Sequence, residues 1–244
     1  MGKAKQAQPH SSIGPESSIR VLIADDHPLF AEGVKDALQR AHMEVVGIAA
    51  TGAEAIVLAA RTNPDIVLLD VRMPDIDGLQ ALKALKAMNP HLAVVILTTY
   101  DSVDYLWSAV MGGAAGYLLK GISAQELAET VRRAVVGESA LDPAQLQKLM
   151  ACFTLDPGDC GNGTSAEDPH LTGREAQVLL ALASGMRNPE LASLLDVNVG
   201  TLKTHLSRIF HKICVSDRTQ AVIWSYRHAQ YLKQKSGASN QQPR

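Results

Sequence analysis

Five polar side chains stand at the ends of short apolar runs, and their types suit phosphoryl chemistry. Asp25 and Asp26 follow RVLIA (20–24), Asp70 follows IVLL (66–69), Thr98 follows AVVIL (93–97) and Lys120 follows AGYLL (115–119). Taken singly, such an acid is most often a helix cap and such a lysine a solvent-facing end; four run ends together ask for more. Carboxylates gathered in one place repel one another unless a cation sits among them. Mg2+ is the natural candidate, being hard, octahedral and content with one or two carboxylates plus waters and a phosphate oxygen. An aspartate beside it can act as a nucleophile toward phosphorus and form an acyl phosphate. The metal and a lysine then neutralise charge on the transferring group, and a threonine hydroxyl can donate to a phosphoryl oxygen.

These residues converge only if the runs are strands of one sheet. A fifth run, VVGIA (45–49), completes the set, and each is nearly continuously apolar, as in strands buried on both faces of a parallel sheet. Segments with helical spacing lie between them, for example Leu79, Leu82, Leu85 and Met88. Strand alternating with helix predicts a doubly wound α/β domain with a five-stranded parallel sheet over 19–137. In such a sheet ligands bind beyond the carboxyl ends of the strands. With strand order 2-1-3-4-5, the first and third runs are neighbours and Asp25, Asp26 and Asp70 meet at the switch point.

The chain of 244 residues carries a net charge of −2, which hides a division. Residues 1–169 hold 13 basic against 21 acidic side chains, net −8, while residues 170–244 hold 10 against 4, net +6. An acidic part joined to a basic part suggests two jobs, with a polyanion as the partner of the second. No apolar run approaches the roughly 20 residues of a membrane helix, so no membrane partner is expected. The absence of an apolar signal region and the three cysteines, Cys152, Cys160 and Cys214, suit a reducing, cytoplasmic location. Residues 1–18 are rich in Ser, Gln and Pro and read as a disordered leader. Residues 138–169 read as a linker with one helix in LDPAQLQKLMACF, followed by a Gly- and Asp-rich stretch. Its Asp156, Asp159 and Asp168 lack the spacing of a calcium loop.

VLIADDHPLF, VLLDVRMPDIDGL, VILTTY and GAAGYLLK resemble the receiver domain of two-component response regulators, and the separations of 44, 28 and 22 residues along Asp26, Asp70, Thr98 and Lys120 agree with that family. The resemblance implies that Asp70 is the phosphoacceptor. Asp26 would ligate Mg2+ directly, Asp25 through water, and Arg72 through its backbone carbonyl, its side chain not being required. Thr98 would contact the phosphoryl group, Lys120 would pair with it, and Tyr117 would be the aromatic that turns inward on activation. Gly121 stands where many receivers carry a proline after a cis bond, so a cis bond is not assumed. A Mg2+-dependent phosphohydrolase of the haloacid-dehalogenase type is the enzymatic rival. It would place a second Asp two residues after the nucleophile, where this chain has Arg72.

From 170 to 230 the sequence predicts a small all-α module of four helices. Thr172 and Glu175 form a T-x-x-E capping box, Gly185 is a stop, Asn188 is the N-cap of a helix with Pro189 at its first position, and Asn198 caps the next. On that third helix Leu202, Leu206, Ile209 and Ile213 form a core stripe. Lys203, Thr204, Ser207, Arg208 and His211 fall opposite, without an acid among them. Basic groups for phosphates and short polar groups for base edges are what a helix in a major groove needs. LTGRE, NPELA, VGTLKTHLSRIFHKI and DRTQAV resemble the LuxR-type helix-turn-helix module, so that the whole resembles a NarL/FixJ-family response regulator. Carried over, Lys203, Thr204 and Ser207 would contact bases. Thr201, His205, Arg208, His211, Lys212 and Arg218 would contact phosphates, and Pro189 would cost one such contact. Ala221, Val222 and Trp224 are candidate dimer contacts, and residues 231–244 read as a tail. The implied function is a transcription regulator that takes a phosphoryl group from a cognate sensor histidine kinase, binds double-stranded promoter DNA and forms a homodimer when phosphorylated. The linker would restrain the two domains little. Slow self-phosphorylation and dephosphorylation would be its only enzymatic chemistry. The alternative is a DNA-binding regulator independent of phosphorylation.

Overall fold

The computed structural model describes residues 18–155, 169–215 and 217–237. The leader up to residue 17 and the Gly- and Asp-rich stretch with Asp156, Asp159 and Asp168 lie outside the described residues. Strands β1 (Arg20–Ala24), β2 (Glu44–Ala49), β3 (Ile66–Leu69), β4 (Ala93–Thr98) and β5 (Gly116–Leu119) form one parallel sheet in the order β2-β1-β3-β4-β5. Alternate residues sort to opposite faces because side chains in a strand have a period of two. Val21, Ile23, Leu68 and Val95 face helices α1 (Pro28–Arg40) and α5 (Ala124–Val135). Leu22, Leu69, Val94, Ile96 and Tyr117 face α2 (Gly52–Thr62), α3 (Gly78–Met88) and α4 (Val103–Met111). Local chemistry starts these helices on time. The side chains of Thr51, Asp77 and Ser123 accept from the main-chain N–H three residues on, at 3.1, 2.8 and 3.1 Å.

Helix α6 (Pro143–Leu155) realises the expected linker helix, but it is docked rather than free. Leu149 is fully buried in the receiver-side core, and Gln145 Nε2 donates to the Tyr117 carbonyl at 2.8 Å. The basic module comprises α7 (Gly173–Ala183), α8 (Asn188–Leu195), α9 (Val199–Lys212), α10 (Arg218–Arg227) and α11 (Ala229–Lys235). Two expectations need correcting. Helix α8 is capped by Arg187, whose N–H donates to Glu190 Oε2 at 2.7 Å, leaving Asn188 as the first helical residue. The stretch expected to be tail begins inside α11, whose Leu232 is fully buried against the module's core.

The capping box of α7 forms as expected, and Lys212 from the end of α9 closes on its acid at 2.8 Å. Glu175 is partly buried, which opposes ionisation, yet Lys212 and the Thr172 N–H outweigh that and hold its carboxyl below the ordinary value of 4.5. A depressed carboxylate stabilises the fold above its ordinary value, and that contribution is lost as pH falls through the folded one. Glu175→Gln is therefore expected to lower the melting temperature at pH 7 and to matter progressively less as pH falls below 4.5, as read by circular dichroism across that range.

Candidate functional site

The carboxyl edge of the sheet gathers the residues that the sequence marked. Asp25 and Asp70 are 3% and 4% exposed and Thr98 is fully buried, whereas Asp26 lies in the open. Lys120, delivered by β5, places its ammonium 2.7 Å from Asp25 Oδ2 and 2.7 Å from Asp70 Oδ2. Phe30 packs beneath that ammonium, 4.7 Å from nitrogen to ring centre. Burial pushes the Asp70 carboxyl above its ordinary value; Lys120 pulls the other way and Asp25 adds to the rise. Burial alone would lower the Lys120 ammonium, but its hydrogen bonds to Asp25 and Asp70 win and raise it. Carboxylate and imidazole atoms of Asp25, Asp26, His27 and Asp70 all lie within 4.8 Å of one another. Hard oxygen donors at such spacing fit Mg2+. His27 was missed in the sequence although it directly follows the two acids. Its Nδ1 lies 2.7 Å from Asp26, and its main-chain N–H donates to Asp25 at 2.9 Å.

Around this pocket the remaining residues form a connected path. Thr98 Oγ1 accepts from the Tyr100 N–H at 3.3 Å, and Tyr117 donates its hydroxyl to the Tyr100 carbonyl at 2.6 Å. The Tyr117 ring is already inside, and burial, aided by Asp101, pushes its hydroxyl up to about 12, so it stays protonated and donates. The Arg72 side chain, expected to be a bystander, lies over the Tyr100 ring at 4.6 Å and donates to the Tyr105 hydroxyl at 3.3 Å.

On α9 the two stripes separate as the periodicity predicts. Leu202, Leu206 and Ile209 are buried, while Lys203, Thr204, Ser207, Arg208 and His211 are exposed, as are Thr201 and His205. Asn198 caps the helix by accepting the Thr201 N–H at 2.8 Å.

Residues 21–132 match the family model described as the response regulator receiver domain, and residues 169–225 match that of the bacterial regulatory proteins of the luxR family. The chain belongs to the response regulators. An uncharacterised transcriptional regulatory protein of Bacillus subtilis, YxjL, is 37% identical over 87% of this chain and 97% of that protein. The response regulator protein VraR of Staphylococcus aureus is 36% identical over 86% and 98%. Among solved structures, a LuxR-family two-component response regulator from Aurantimonas superposes with a TM-score of 0.53 at 27% identity, over 57% of this chain and 99% of that one. RcsB of Salmonella typhimurium superposes at 0.51 and 20% identity over 86% and 98%, a likeness of fold.

The response regulator departs from the sequence-based expectations at the seam between its domains. Arg218, expected on the DNA-facing surface, is 7% exposed. Its guanidinium donates to Asn188 Oδ1 at 3.0 Å and to the Met186 carbonyl. Lys212, exposed as expected, is engaged by Glu175. Ala221 and Val222 are core residues of the module and offer no free dimer surface in this arrangement, whereas Trp224 stays partly exposed and stacks on His228 with ring centres 4.1 Å apart. Nor are the domains loosely tethered. Ile223 of α10 joins the receiver core, Gln220 donates to the Val110 carbonyl at 3.1 Å, and Thr219 donates to Ser139 at 3.0 Å.

Proposed function

We propose that this response regulator is a phosphorylation-controlled DNA-binding transcription regulator with Asp70 as phosphoacceptor. The observation that carries it is the buried convergence of Asp25, Asp70 and the Lys120 ammonium at the sheet's carboxyl edge, beside Asp26. Asp70 attacks the phosphorus of a phosphohistidine on a sensor kinase. The Asp O–P bond forms, the histidine N–P bond breaks, and the departing imidazole keeps the electron pair and takes up a proton. Mg2+, when bound, supplies charge neutralisation of the transferring oxygens. Asp25, Asp26, Asp70 and the Arg72 carbonyl are the residues that would hold it. Lys120 then exchanges one carboxylate partner for a phosphoryl oxygen. Thr98 donates its hydroxyl to another, and its shift passes to Tyr117 through the Tyr100 peptide that both already bond. Helix α6 reads the same movement, because Gln145 holds the Tyr117 carbonyl and Lys148 pairs with Asp101 at 2.7 Å. Domain limits near 137 and 170 go with this reading, as do a cytoplasmic location and a homodimer in the phosphorylated state. Among the described residues no helix is long and apolar enough to cross a membrane.

The exposed, acid-free face of α9 supports promoter DNA as the partner, with Lys203, Thr204 and Ser207 toward bases and Thr201, His205, Arg208, His211 and Lys212 toward phosphates. The test is intact-mass measurement after incubation with acetyl phosphate and Mg2+. One labile phosphoryl adduct is expected, absent from Asp70→Asn and from EDTA-treated protein. A stoichiometric adduct on Asp70→Asn would remove Asp70 from its role. Equal promoter affinity with and without the adduct would favour the phosphorylation-independent reading.

A further inference from the structure

The segment between β1 and α1 does more than supply carboxylates. Asp25 Oδ1 accepts the His27 N–H at 2.9 Å, and Pro28, with its fixed φ, starts α1 at once. Phe30 therefore lies within the first turn of α1, and its N–H donates to the His27 carbonyl at 3.1 Å. Its neighbour Leu29 is 93% exposed, whereas Phe30 is partly buried against the core that α1 and α5 share. The ring lies under the Lys120 ammonium, 4.7 Å from nitrogen to centre. A lysine ammonium carries three N–H groups. Asp25 and Asp70 each take one at 2.7 Å, and among the described residues no third oxygen is hydrogen-bonded to it.

Lys120 must give up one carboxylate for a phosphoryl oxygen as the group arrives. A carbonyl, hydroxyl or carboxylate in the place of the Phe30 ring would claim the third N–H and resist that exchange. The face of an aromatic ring attracts a cation through its quadrupole without fixing where the hydrogens point. We propose that Phe30 is a positioning residue for phosphoryl transfer, its ring keeping the Lys120 ammonium at the carboxyl edge while the N–H groups turn from Asp70 to the incoming oxygens. This rests on the reading of Asp70 as phosphoacceptor and adds a residue to that site. With acetyl phosphate as donor, the Asp70 O–P bond forms, the bond from phosphorus to the acetate oxygen breaks, and acetate leaves with the electron pair. Midway the ammonium has loosened from Asp70 and is not yet fully bonded to the phosphoryl group, so the ring counts for more there than at rest. Only an interaction with that property speeds the step.

The experiment is a double-mutant cycle on the rate of adduct formation with acetyl phosphate and Mg2+, followed by intact mass on the full chain. Phe30→Leu keeps the apolar bulk and loses the quadrupole, and is expected to slow the reaction about fivefold, the scale of one partly desolvated cation–π contact. Phe30→Tyr keeps the ring face and is expected to react at nearly the parent rate. On a Lys120→Met background the leucine change should slow nothing further, because no ammonium is left to hold. Equal slowing on both backgrounds, or slowing by tyrosine as large as by leucine, overturns the role and leaves Phe30 a packing residue. A parent rate in Phe30→Leu overturns it as well. If Lys120→Met forms no adduct at all, the leucine and tyrosine variants decide alone. If the parent itself forms none, the phosphoacceptor reading falls, and the same cycle read by urea unfolding tests the contact by itself. Stability losses at Phe30 and Lys120 that simply add then overturn the hold of the ring on the ammonium, and losses that do not add uphold it.

Discussion

Lys120→Met is expected to lower the unfolding free energy by about 3 kcal/mol at neutral pH in the presence of EDTA. The ammonium bonds Asp25 and Asp70 at 2.7 Å each, and all three side chains are nearly inaccessible to water. Methionine fills a similar volume, so the loss is one of charge rather than of packing. Two buried carboxylates then face each other with no cation between them. Burial already pushes the Asp70 carboxyl up against the pull of Lys120, and removing that pull lets it rise further. The sign of the pH dependence follows. A carboxyl whose folded value lies above its unfolded one destabilises the fold above that value and no longer does so once protonated. The deficit should therefore shrink as pH falls from neutral through that raised value. Mg2+ should restore more stability to the variant than to the parent, because the metal supplies the missing positive charge. Urea unfolding at two pH values, with and without Mg2+, measures both. A deficit indifferent to pH and to metal would mean that Lys120 serves only as packing.

Much of this pocket was legible because a parallel sheet sends every carboxyl end to the same edge. Strands β1 and β3 fall on the runs 20–24 and 66–69 because burial on both faces leaves a continuous apolar signature. Contacts between distant segments were not legible. Asn188 has the type of a helix cap, and only Glu138 and Val136, some fifty residues away, turn it into a link between domains. Arg218 has the type of a phosphate contact, and its burial is decided by Asn188 and Met186 instead. The last helix escaped notice because Tyr231 and Leu232 are a short apolar pair beside Lys233, Gln234 and Lys235, too brief for a periodic pattern, and the burial of Leu232 depends on packing against α7. Docking of α6 likewise rests on Leu149 and Gln145 meeting a surface that no local pattern describes.

The same edge carries a steric requirement that bears directly on Asp70. Helix α3 begins at Gly78, whose N–H donates to the Val71 carbonyl at 2.8 Å. A Cβ added there would stand 1.9 Å from the carbonyl oxygen of Asp70 itself and 3.0 Å from Val71 Cα. Both obstacles are backbone, so no side chain can swing away to make room. Either the start of α3 or the end of β3 must move by more than 1 Å, and the second of these carries Asp70. Gly78→Ala is therefore expected to cost about 3 kcal/mol of stability, the upper range for forcing atoms into a packed interior. It should also suppress the acetyl-phosphate adduct severalfold in whatever fraction remains folded, since a shift of about 1 Å in a reacting group can cost far more than its packing suggests. Gly33→Ala provides the contrast. Gly33 lies on the exposed side of α1 with nothing within 4 Å of an added Cβ, and alanine there should stabilise by about 0.5 to 1 kcal/mol through helix propensity alone. Thermal unfolding and adduct yield, measured side by side, separate the two cases. If Gly78→Ala melts and phosphorylates like the parent, α3 and the Asp70 main chain are not in the close contact described, and the placement of Asp70 by that contact is wrong.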